Sequence, residues 1–350
     1  MIVSIGMLAR NEAARIAQTL RSLFEQSVFS ADGPTLPEAQ WELIVVPNGC
    51  SDATAEVARA ALAQLKPAQV SASVIEVGAS GKSNAWNRYV HEFSRKDADF
   101  ILMLDADIEF GHPHTIRNSI AELAANPSAD VAVDRPLNSI ARKHRRTLLE
   151  RIRIKLSRSR FDGPPGIAGS FYCARAPVLR AIWMPLGLAA EDGFLRDMVI
   201  TNLFRSEVDF GKVVRARDAS HFYEATPDLA RTFKHELRIA IGTALNCYLA
   251  WDFLKFATDP KGPGAGVLIK NCIEHDPDWY RKYIDNEITQ RGWWVLPKGM
   301  VFRSFARLRD LTLPNMVKRM PLVLPLFLFD LAVCVAANNR LKKREAVVFW

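Results

Sequence analysis

Apolar runs of strand length alternate with helix-like segments through the first 135 residues. One helix-like segment opens at Asn11 and Glu12, and an Ala-rich one follows Ser51 or Asp52 as its cap. This β-α-β-α rhythm predicts an α/β fold with a mostly parallel sheet covered by helices on both faces. The strand-like runs are IVSIGML (2–8), WELIVVP (41–47), ASVIEV (72–77), DFILMLD (99–105) and ADVAVD (129–134).

Polar residues lie at four of the predicted strand ends. Sheets of this kind bind ligands outside the carboxyl ends of their strands. Several polar clusters at one edge are more informative than any one of them, so we expect a binding site there. The clusters are Arg10-Asn11-Glu12, residues 48–52, Gly81-Lys82 and Asp105-Ala106-Asp107.

The Asp105-Ala106-Asp107 segment places two carboxylates one residue apart at a strand end. Two hard oxygen ligands suit Mg²⁺ or Mn²⁺, ions that proteins usually share with substrate phosphates. The alternative is a pair of turn-forming acids that cap the next helix. The tripeptide alone does not decide between these two interpretations.

Six segments, in this order along the chain, resemble the family 2 glycosyltransferases, which have the Rossmann-like GT-A fold. The resemblance covers roughly residues 1–245, and it is the ordered set that is specific. The segments are ARNEAARIAQTLRSLFEQ (9–26), ELIVVPNGCSDATAEVA (42–58), GKSNAWN (81–87), LMLDADI (102–108), GSFYCAR (169–175) and AEDGFL (190–195).

The resemblance implies a nucleotide-diphosphate sugar bound along the strand ends, with a UDP-sugar favoured. Family members often carry two acids before the glycine, where this chain has Pro47 and Asn48, so the base stays open. Asn48-Gly49 could instead form a plain turn, and Lys82 could be solvated. The implied donor contacts are Arg10, Asn11, Glu12, Asn48, Asp52, Lys82, Asn87, Asp105 and Arg238.

A divalent metal, Mn²⁺ or Mg²⁺, is also implied by the resemblance. Asp107 would ligate it, Asp105 would contact the metal or the ribose, and His221 would be a third ligand. Such an ion works as a Lewis acid on the departing diphosphate. A lone histidine is, however, often simply hydrogen-bonded within the structure.

Glu191-Asp192 resembles the acid motif on the family's acceptor side, which implies Asp192 as catalytic base and Glu191 as a supporting contact. Direct displacement at an anomeric carbon needs one base to deprotonate the attacking hydroxyl. Without the resemblance, two acids that merely start a helix would be the simpler interpretation, because acids there favour the helix dipole.

The segment KHELRIAIG (234–242) lies where many members carry Gln-x-x-Arg-Trp. Arg238 and Gly242 match that region, whereas His235 and Ile239 depart from it. The intact signature is typical of processive members, so we expect a non-processive enzyme in which Arg238 contacts the diphosphate.

Basic and apolar segments after residue 141 predict peripheral contact with an anionic membrane surface, with a glycan, lipid or lipid-linked acceptor. They are the basic stretch 142–160, MPLVLPLFLFDLAVCVAA (320–337) and RLKKR (340–344). Basic amphipathic segments favour a lipid interface, whereas 320–337 is short of the roughly 20 residues that a spanning helix needs. The alternatives are a solvated face and a buried C-terminal helix. No nucleic acid is expected, because no aromatics interleave the basic run.

Three regions are expected along the chain: a nucleotide-sugar-binding half (1–135), an acceptor and catalytic half (136–245) and a helical C-terminal extension (246–350). The five cysteines are scattered, which favours free thiols in a reducing, cytoplasmic compartment. The chain opens directly with a strand-like run, so no secretory leader is expected. The net charge of +8 suits anionic partners.

Two rival functions stay open at this point. A sugar nucleotidyltransferase would want a glycine-rich, arginine-containing loop after the first strand, and MLARNEAAR (7–15) has no glycine. A non-catalytic membrane adaptor with a decayed transferase fold would be expected to lose carboxylates, yet both acidic pairs persist. We therefore expect an inverting, metal-dependent glycosyltransferase.

Overall fold

A mixed β-sheet forms the centre of the molecule and has eight strands among the described residues. The structure is a computed structural model that describes residues 1–30, 39–142, 163–224, 229–306, 308 and 313–345. The predicted basic segment therefore lies outside the described residues from 143 to 160. The strands are β1 (Ile2–Ala9), β2 (Gln40–Pro47), β3 (Val70–Val74), β4 (Phe100–Asp105), β5 (Glu109–Phe110), β6 (Val131–Asn138), β7 (Phe171–Arg175) and β8 (Val213–Tyr223).

The strand order is β3-β2-β1-β4-β7-β6-β8-β5. β1 pairs in parallel with β2 and β4, and β2 pairs in parallel with β3. β7 then runs antiparallel to β4 and β6, and β5 runs antiparallel to β8. The predicted α/β class is confirmed, and the sheet is mixed because the later strands include antiparallel pairs. The parallel half places the carboxyl ends of β1, β2 and β4 at one edge.

Helices cover both faces of the sheet and make up the C-terminal region. α3 continues through a π-helical turn to Phe93, and α7 continues through one to Leu254 and ends at Ala257. The helices are α1 (Ile16–Phe24), α2 (Thr54–Leu65), α3 (Lys82–Arg88), α4 (Thr115–Ala125), α5 (Ala176–Arg180), α6 (Glu191–Ile200), α7 (Leu229–Asn246), α8 (Ala265–His275), α9 (Trp279–Gln290), α10 (Arg303–Ala306) and α11 (Leu313–Lys342).

β1 is buried on both faces, which explains its nearly continuous apolar sequence. Val3, Ile5 and Met7 pack into the core that α1, α2 and α4 cover. On the other face, a Cβ at Gly6 would fall inside the ring of Tyr89. Glycine at this position therefore lets the π-helical turn after α3 lie directly on the strand.

The first helix begins later than the sequence predicted. α1 starts at Ile16, and Asn11 takes a positive φ of 55°. The Asn11 side chain accepts a hydrogen bond from the Ser51 N–H at 2.8 Å, and the Glu12 N–H donates to Thr54 Oγ1 at 2.8 Å. These contacts hold the chain after β1 against the β2–α2 connection, so it forms a loop at the sheet edge.

α11 packs against α7 through an apolar contact and a buried ionic cluster. The rings of Phe233 and Phe329 meet edge to face, 5.9 Å apart. Arg303 on α10 donates to Glu236 on α7 at 2.9 Å and to Asp330 on α11 at 2.5 Å. Because both carboxylates are buried, their pairing with Arg303 fixes how the three helices lie together.

Candidate active site

A cavity of about 520 Å³ opens at the carboxyl ends of β1 and β4. α6 and α7 supply its far wall. Side chains from the parallel strands and from these later helices therefore meet in one cavity. The structure brings eight of the predicted site residues to its lining. These are Arg10, Glu12, Lys82, Asp105, Asp107, Glu191, Asp192 and Arg238.

Lys82 joins the two acidic pairs inside the cavity. Its Nζ lies 2.8 Å from Asp105 Oδ1 and 2.9 Å from Glu191 Oε1. Burial alone would lower the pKa of Lys82, but the two carboxylates outweigh it and the pKa lies above its ordinary value. The same lysine outweighs the effect of burial on Glu191 and holds the pKa of that carboxyl below its usual range. Lys82 and Glu191 are therefore both charged at neutral pH.

Asp192 lies beside this ion pair in the first turn of α6. Its Oδ1 accepts a hydrogen bond from the Gly193 N–H at 2.8 Å. Burial, and then the negative charge of Glu191, raise the pKa of Asp192 above its ordinary value. A carboxylate with a raised pKa is a stronger base, and an acid with a perturbed pKa in a cavity is a candidate catalytic group.

Asp105 and Asp107 occupy different environments. Asp105 is the last residue of β4 and is paired with Lys82, whereas the Asp107 side chain is 39% exposed. Arg15 lies near Asp107, with Nη1 4.0 Å from Oδ2. Arg15 also forms an ion pair with Glu224, which follows β8. Arg15 thus links two acids, Asp107 and Glu224, that line the cavity together with Asp105. We call these three carboxylates the acidic rim.

Glu12 adds a further carboxyl to this rim. Burial, and then the charge of Asp107, raise the pKa of Glu12 to about 7. Asp105 and Asp52 act in the same direction. The rim therefore concentrates negative charge, and this concentration is the local condition that favours binding of a divalent cation.

A second cavity of about 310 Å³ lies beside the β2–α2 connection. Asp52, Ser51 and Glu76 are among its lining residues. The Asp52 side chain accepts hydrogen bonds from the Ala13 and Thr54 N–H groups, both at 3.1 Å. Asn11, which binds Ser51, and Asp52 therefore support the loop between the two cavities.

Three predicted contacts instead have partners within the protein, and the first two are asparagines. Asn48 is fully buried; its amide donates to the Ala9 carbonyl at 3.1 Å and accepts from the Gly81 N–H at 3.3 Å. Asn87 is also buried and makes both of its hydrogen bonds with the backbone of Met184. Since these amides are occupied, both side chains act as internal braces for the loops around the site.

His221 is the third. It is fully buried, with Nδ1 2.8 Å from Asp134 Oδ2 and Nε2 2.9 Å from Ser170 Oγ. Both ring nitrogens already have hydrogen-bond partners, so neither offers a lone pair to a metal in this conformation. In this geometry the histidine links β8 to β6 and to the loop before β7, and its role as a metal ligand stays a prediction.

Among the described residues, no group of three His, Cys, Asp or Glu side chains is spaced to hold a metal by itself. The rim carboxylates would therefore need oxygens from a bound substrate to complete a coordination shell.

Sequence reasoning missed Arg15 and Glu224. The strand-end rule could have found Glu224, because it is a polar residue directly after β8.

Comparison with known proteins places this geometry in a family. The model of glycosyl transferase family 2 matches residues 4–183. No curated protein sequence matches the chain. A mannosyltransferase from Pyrobaculum calidifontis, solved with GDP-Man and Mn²⁺, is 17% identical, with 97% of this chain and 86% of that chain covered and a TM-score of 0.55.

A second solved structure is glucosyl-3-phosphoglycerate synthase from Mycobacterium tuberculosis, in complex with Mn²⁺, UDP and glucosyl-3-phosphoglycerate. It is 18% identical, with 71% of this chain and 78% of that chain covered and a TM-score of 0.47. The likeness to the mannosyltransferase supports the fold, and the family match spans more than half of the 350 residues. The chain belongs to glycosyl transferase family 2 and is a glycosyltransferase.

Proposed function

We propose that this enzyme moves a sugar from a nucleotide-diphosphate donor to an acceptor hydroxyl, with inversion at the anomeric carbon and without processive elongation. The observation that carries the proposal is the position of Lys82 between Asp105 and Glu191. This lysine connects the carboxylates at the end of β4 with those at the start of α6, inside one cavity. Donor and acceptor groups would therefore meet there.

In the proposed reaction, the acceptor oxygen attacks the anomeric carbon as the bond from that carbon to the diphosphate oxygen breaks. The diphosphate leaves with the bonding electron pair, and Asp192 takes the proton of the acceptor hydroxyl. Its raised pKa suits this role. Glu191, held by Lys82, supports the acceptor without itself taking the proton, because its pKa is lowered.

The rim of the cavity fits a divalent metal. Asp107 and Asp105 supply hard oxygen ligands, and Glu224 lines the same cavity. When bound, Mn²⁺ or Mg²⁺ would stabilise negative charge on the diphosphate. Arg10 and Arg238, which also line the cavity, would hold phosphate oxygens by charge-assisted hydrogen bonds.

The nucleoside would lie in the second cavity, beside Asp52 and Ser51. Asn48 is committed to Ala9 and Gly81, so base selection falls to other residues of that cavity. A UDP-sugar is the favoured donor from the family resemblance. A GDP-sugar is the next to test, because the mannosyltransferase of similar fold was solved with GDP-Man.

The acceptor side supports a single transfer. His235, Arg238 and Ile239 line the cavity from α7, where processive relatives carry their signature.

α11 packs on this same helix and presents apolar residues to solvent. We therefore propose a lipid or lipid-linked acceptor and a peripheral, cytoplasmic enzyme. The five free cysteines agree with a reducing compartment.

Thermal melting with a panel of nucleoside diphosphates, each with Mn²⁺ and with EDTA, tests the donor site. A ligand that binds the folded state raises the melting temperature by mass action. We expect a shift for one base that disappears with EDTA. An unchanged melting temperature with every nucleotide would contradict the proposal.

A further inference from the structure

One face of α11 exposes a stripe of apolar side chains. Met320, Leu324, Leu328 and Val335 are 36%, 48%, 62% and 43% exposed. Ala332 is also exposed, between Leu328 and Val335. Because these positions are spaced by three or four residues, they share one side of the helix. We call this set the α11 stripe.

The opposite face of α11 is buried in the protein. Val333, Cys334, Ala337 and Leu341 are at most 2% exposed. Asp330 is held by Arg303 and by the Ser304 hydroxyl. Residues Val323–Lys342 are long and apolar enough to cross a membrane, yet a third of that span is buried against the protein. Spanning would strip this packed face, whereas docking in the plane of a bilayer would leave it intact.

Exposed aromatic rings lie beside the stripe. Phe302 is 58% exposed and stacks on Phe327 of α11, with the ring centroids 6.0 Å apart. Trp293 is 81% exposed, and its carbonyl accepts a hydrogen bond from Asn338 of α11 at 3.0 Å. Large aromatic side chains favour the boundary between lipid headgroups and acyl chains.

The C-terminal end of α11 is cationic. Arg340, Lys342, Lys343 and Arg344 follow the apolar stripe within a few residues, and all four are exposed. The Lys343 side chain is 70% exposed. An apolar stripe that ends in a cluster of cations complements a bilayer with anionic headgroups.

We propose that the α11 stripe, with Phe302 and Trp293, is an in-plane docking surface for an anionic phospholipid bilayer. The apolar residues enter the headgroup and acyl boundary while the cations meet the phosphates. The surface lies apart from the residues that line the catalytic cavity. Docking therefore stands independently of the proposed transfer reaction.

Sedimentation of the full chain with vesicles tests this surface. We expect binding to vesicles of phosphatidylglycerol and phosphatidylcholine, weaker binding to pure phosphatidylcholine, and weakening by salt. The double variant Leu324→Glu and Leu328→Glu should lose at least about tenfold in affinity, since it places charge at the lipid boundary. The matched control is Val208→Glu with Phe210→Glu, which changes two exposed apolar residues before β8 and should bind like the unaltered chain.

Melting temperature reports whether each variant is folded, and transfer to a water-soluble acceptor separates docking from catalysis. The stripe variant should keep both properties. Undiminished vesicle binding by this folded variant would overturn the proposal. The unaltered chain could instead form a dimer, fail to bind vesicles, and lose the dimer when the stripe is changed. That result would assign the stripe to an interface with a second copy of the chain.

Discussion

Lys82 on α3 and Glu191 on α6 form an ion pair of 2.9 Å, with side chains only 10% and 16% exposed. The two residues are far apart in sequence. Lys82 starts α3, beside the parallel strands, and Glu191 starts α6, after the antiparallel strand β7. Lys82 also neutralises Asp105. One cation therefore balances two carboxylates, and the third, Asp192, lies beside them with a raised pKa.

Replacing Lys82 should affect both stability and catalysis. Lys82→Met leaves Asp105 and Glu191 without their shared cation, and breaking a largely buried pair typically costs about 3–5 kcal/mol. We expect that loss in chemical denaturation, together with a large fall in kcat. Lys82→Arg should recover part of the stability because the charge remains.

The matched comparison for Lys82 is Arg59→Ala, which breaks an exposed ion pair with Glu76 whose side chains are 50% and 55% exposed. Exposed pairs contribute about 0–1 kcal/mol. Equal losses from Lys82→Met and Arg59→Ala would show that Lys82 does not hold the two acidic pairs together.

Asp192→Asn should reduce turnover without unfolding the enzyme. Removal of a general base typically costs about 10²–10⁴ in rate. The melting temperature should hold or rise, because the variant removes a buried charge beside Glu191. Steady-state kinetics and thermal melting measure the two effects.

Asp197 on the same helix supplies the control for Asp192. Burial raises its pKa as well, but it accepts a hydrogen bond from Trp251 Nε1 at 3.0 Å and does not line the described cavities. Asp197→Asn should therefore keep kcat. If this variant lost as much turnover as Asp192→Asn, the assignment of the base would be wrong.

The strand-end rule explains why so much of the cavity was predictable. Lys82 and Asp105 were found because parallel strands deliver their following residues to one edge, and the apolar runs that form the strands are visible in the sequence. Asp192 was found in a different way, from the resemblance of Glu191-Asp192 to a motif of the family. The sheet's mixed direction was harder to foresee. β7 runs antiparallel to β4, and its short apolar run does not indicate whether the strand pairs in parallel or antiparallel.

Residue type did not separate ligand contacts from internal braces. Asn48, Asn87 and His221 all carry suitable polar atoms, but each uses them in hydrogen bonds with residues 33 to 97 positions away. Such partners are set by tertiary packing, which local patterns do not encode. Asn48, for example, lies buried between β1 and the Gly81 loop and binds the backbone of both.

Glu12 should make stability depend on pH. Its folded pKa of about 7 lies above the ordinary value of 4.5, so between these values the folded state binds more protons than the unfolded state. The free energy of unfolding should therefore fall as pH rises through this window. After allowance for solvent screening, the expected change is about 1–2 kcal/mol. Denaturation of the unaltered chain and of Glu12→Gln at several pH values isolates this contribution.

Saturating Mn²⁺ should reduce the pH dependence attributed to Glu12, because a cation beside Asp107 opposes the charge that raises the pKa of Glu12. Gln64→Ala, on the exposed side of α2, is the control and should leave the pH profile unchanged, because neither side chain titrates. A pH profile that Glu12→Gln does not alter would show that Glu12 does not sense the acidic rim.

His221 should matter for stability and not for metal binding. His221→Ala leaves Asp134 buried without its partner, and an unsatisfied buried polar group costs about 1–3 kcal/mol, more for a charged one. We expect weaker resistance to denaturant, with the Mn²⁺-dependent nucleotide shift retained in the folded variant. Asp107→Asn should behave in the opposite way, since its side chain is partly exposed at the cavity rim. Loss of the Mn²⁺-dependent shift in His221→Ala at unchanged stability would instead identify the histidine as a metal ligand, and its ring would then have to leave Asp134 or Ser170 on binding.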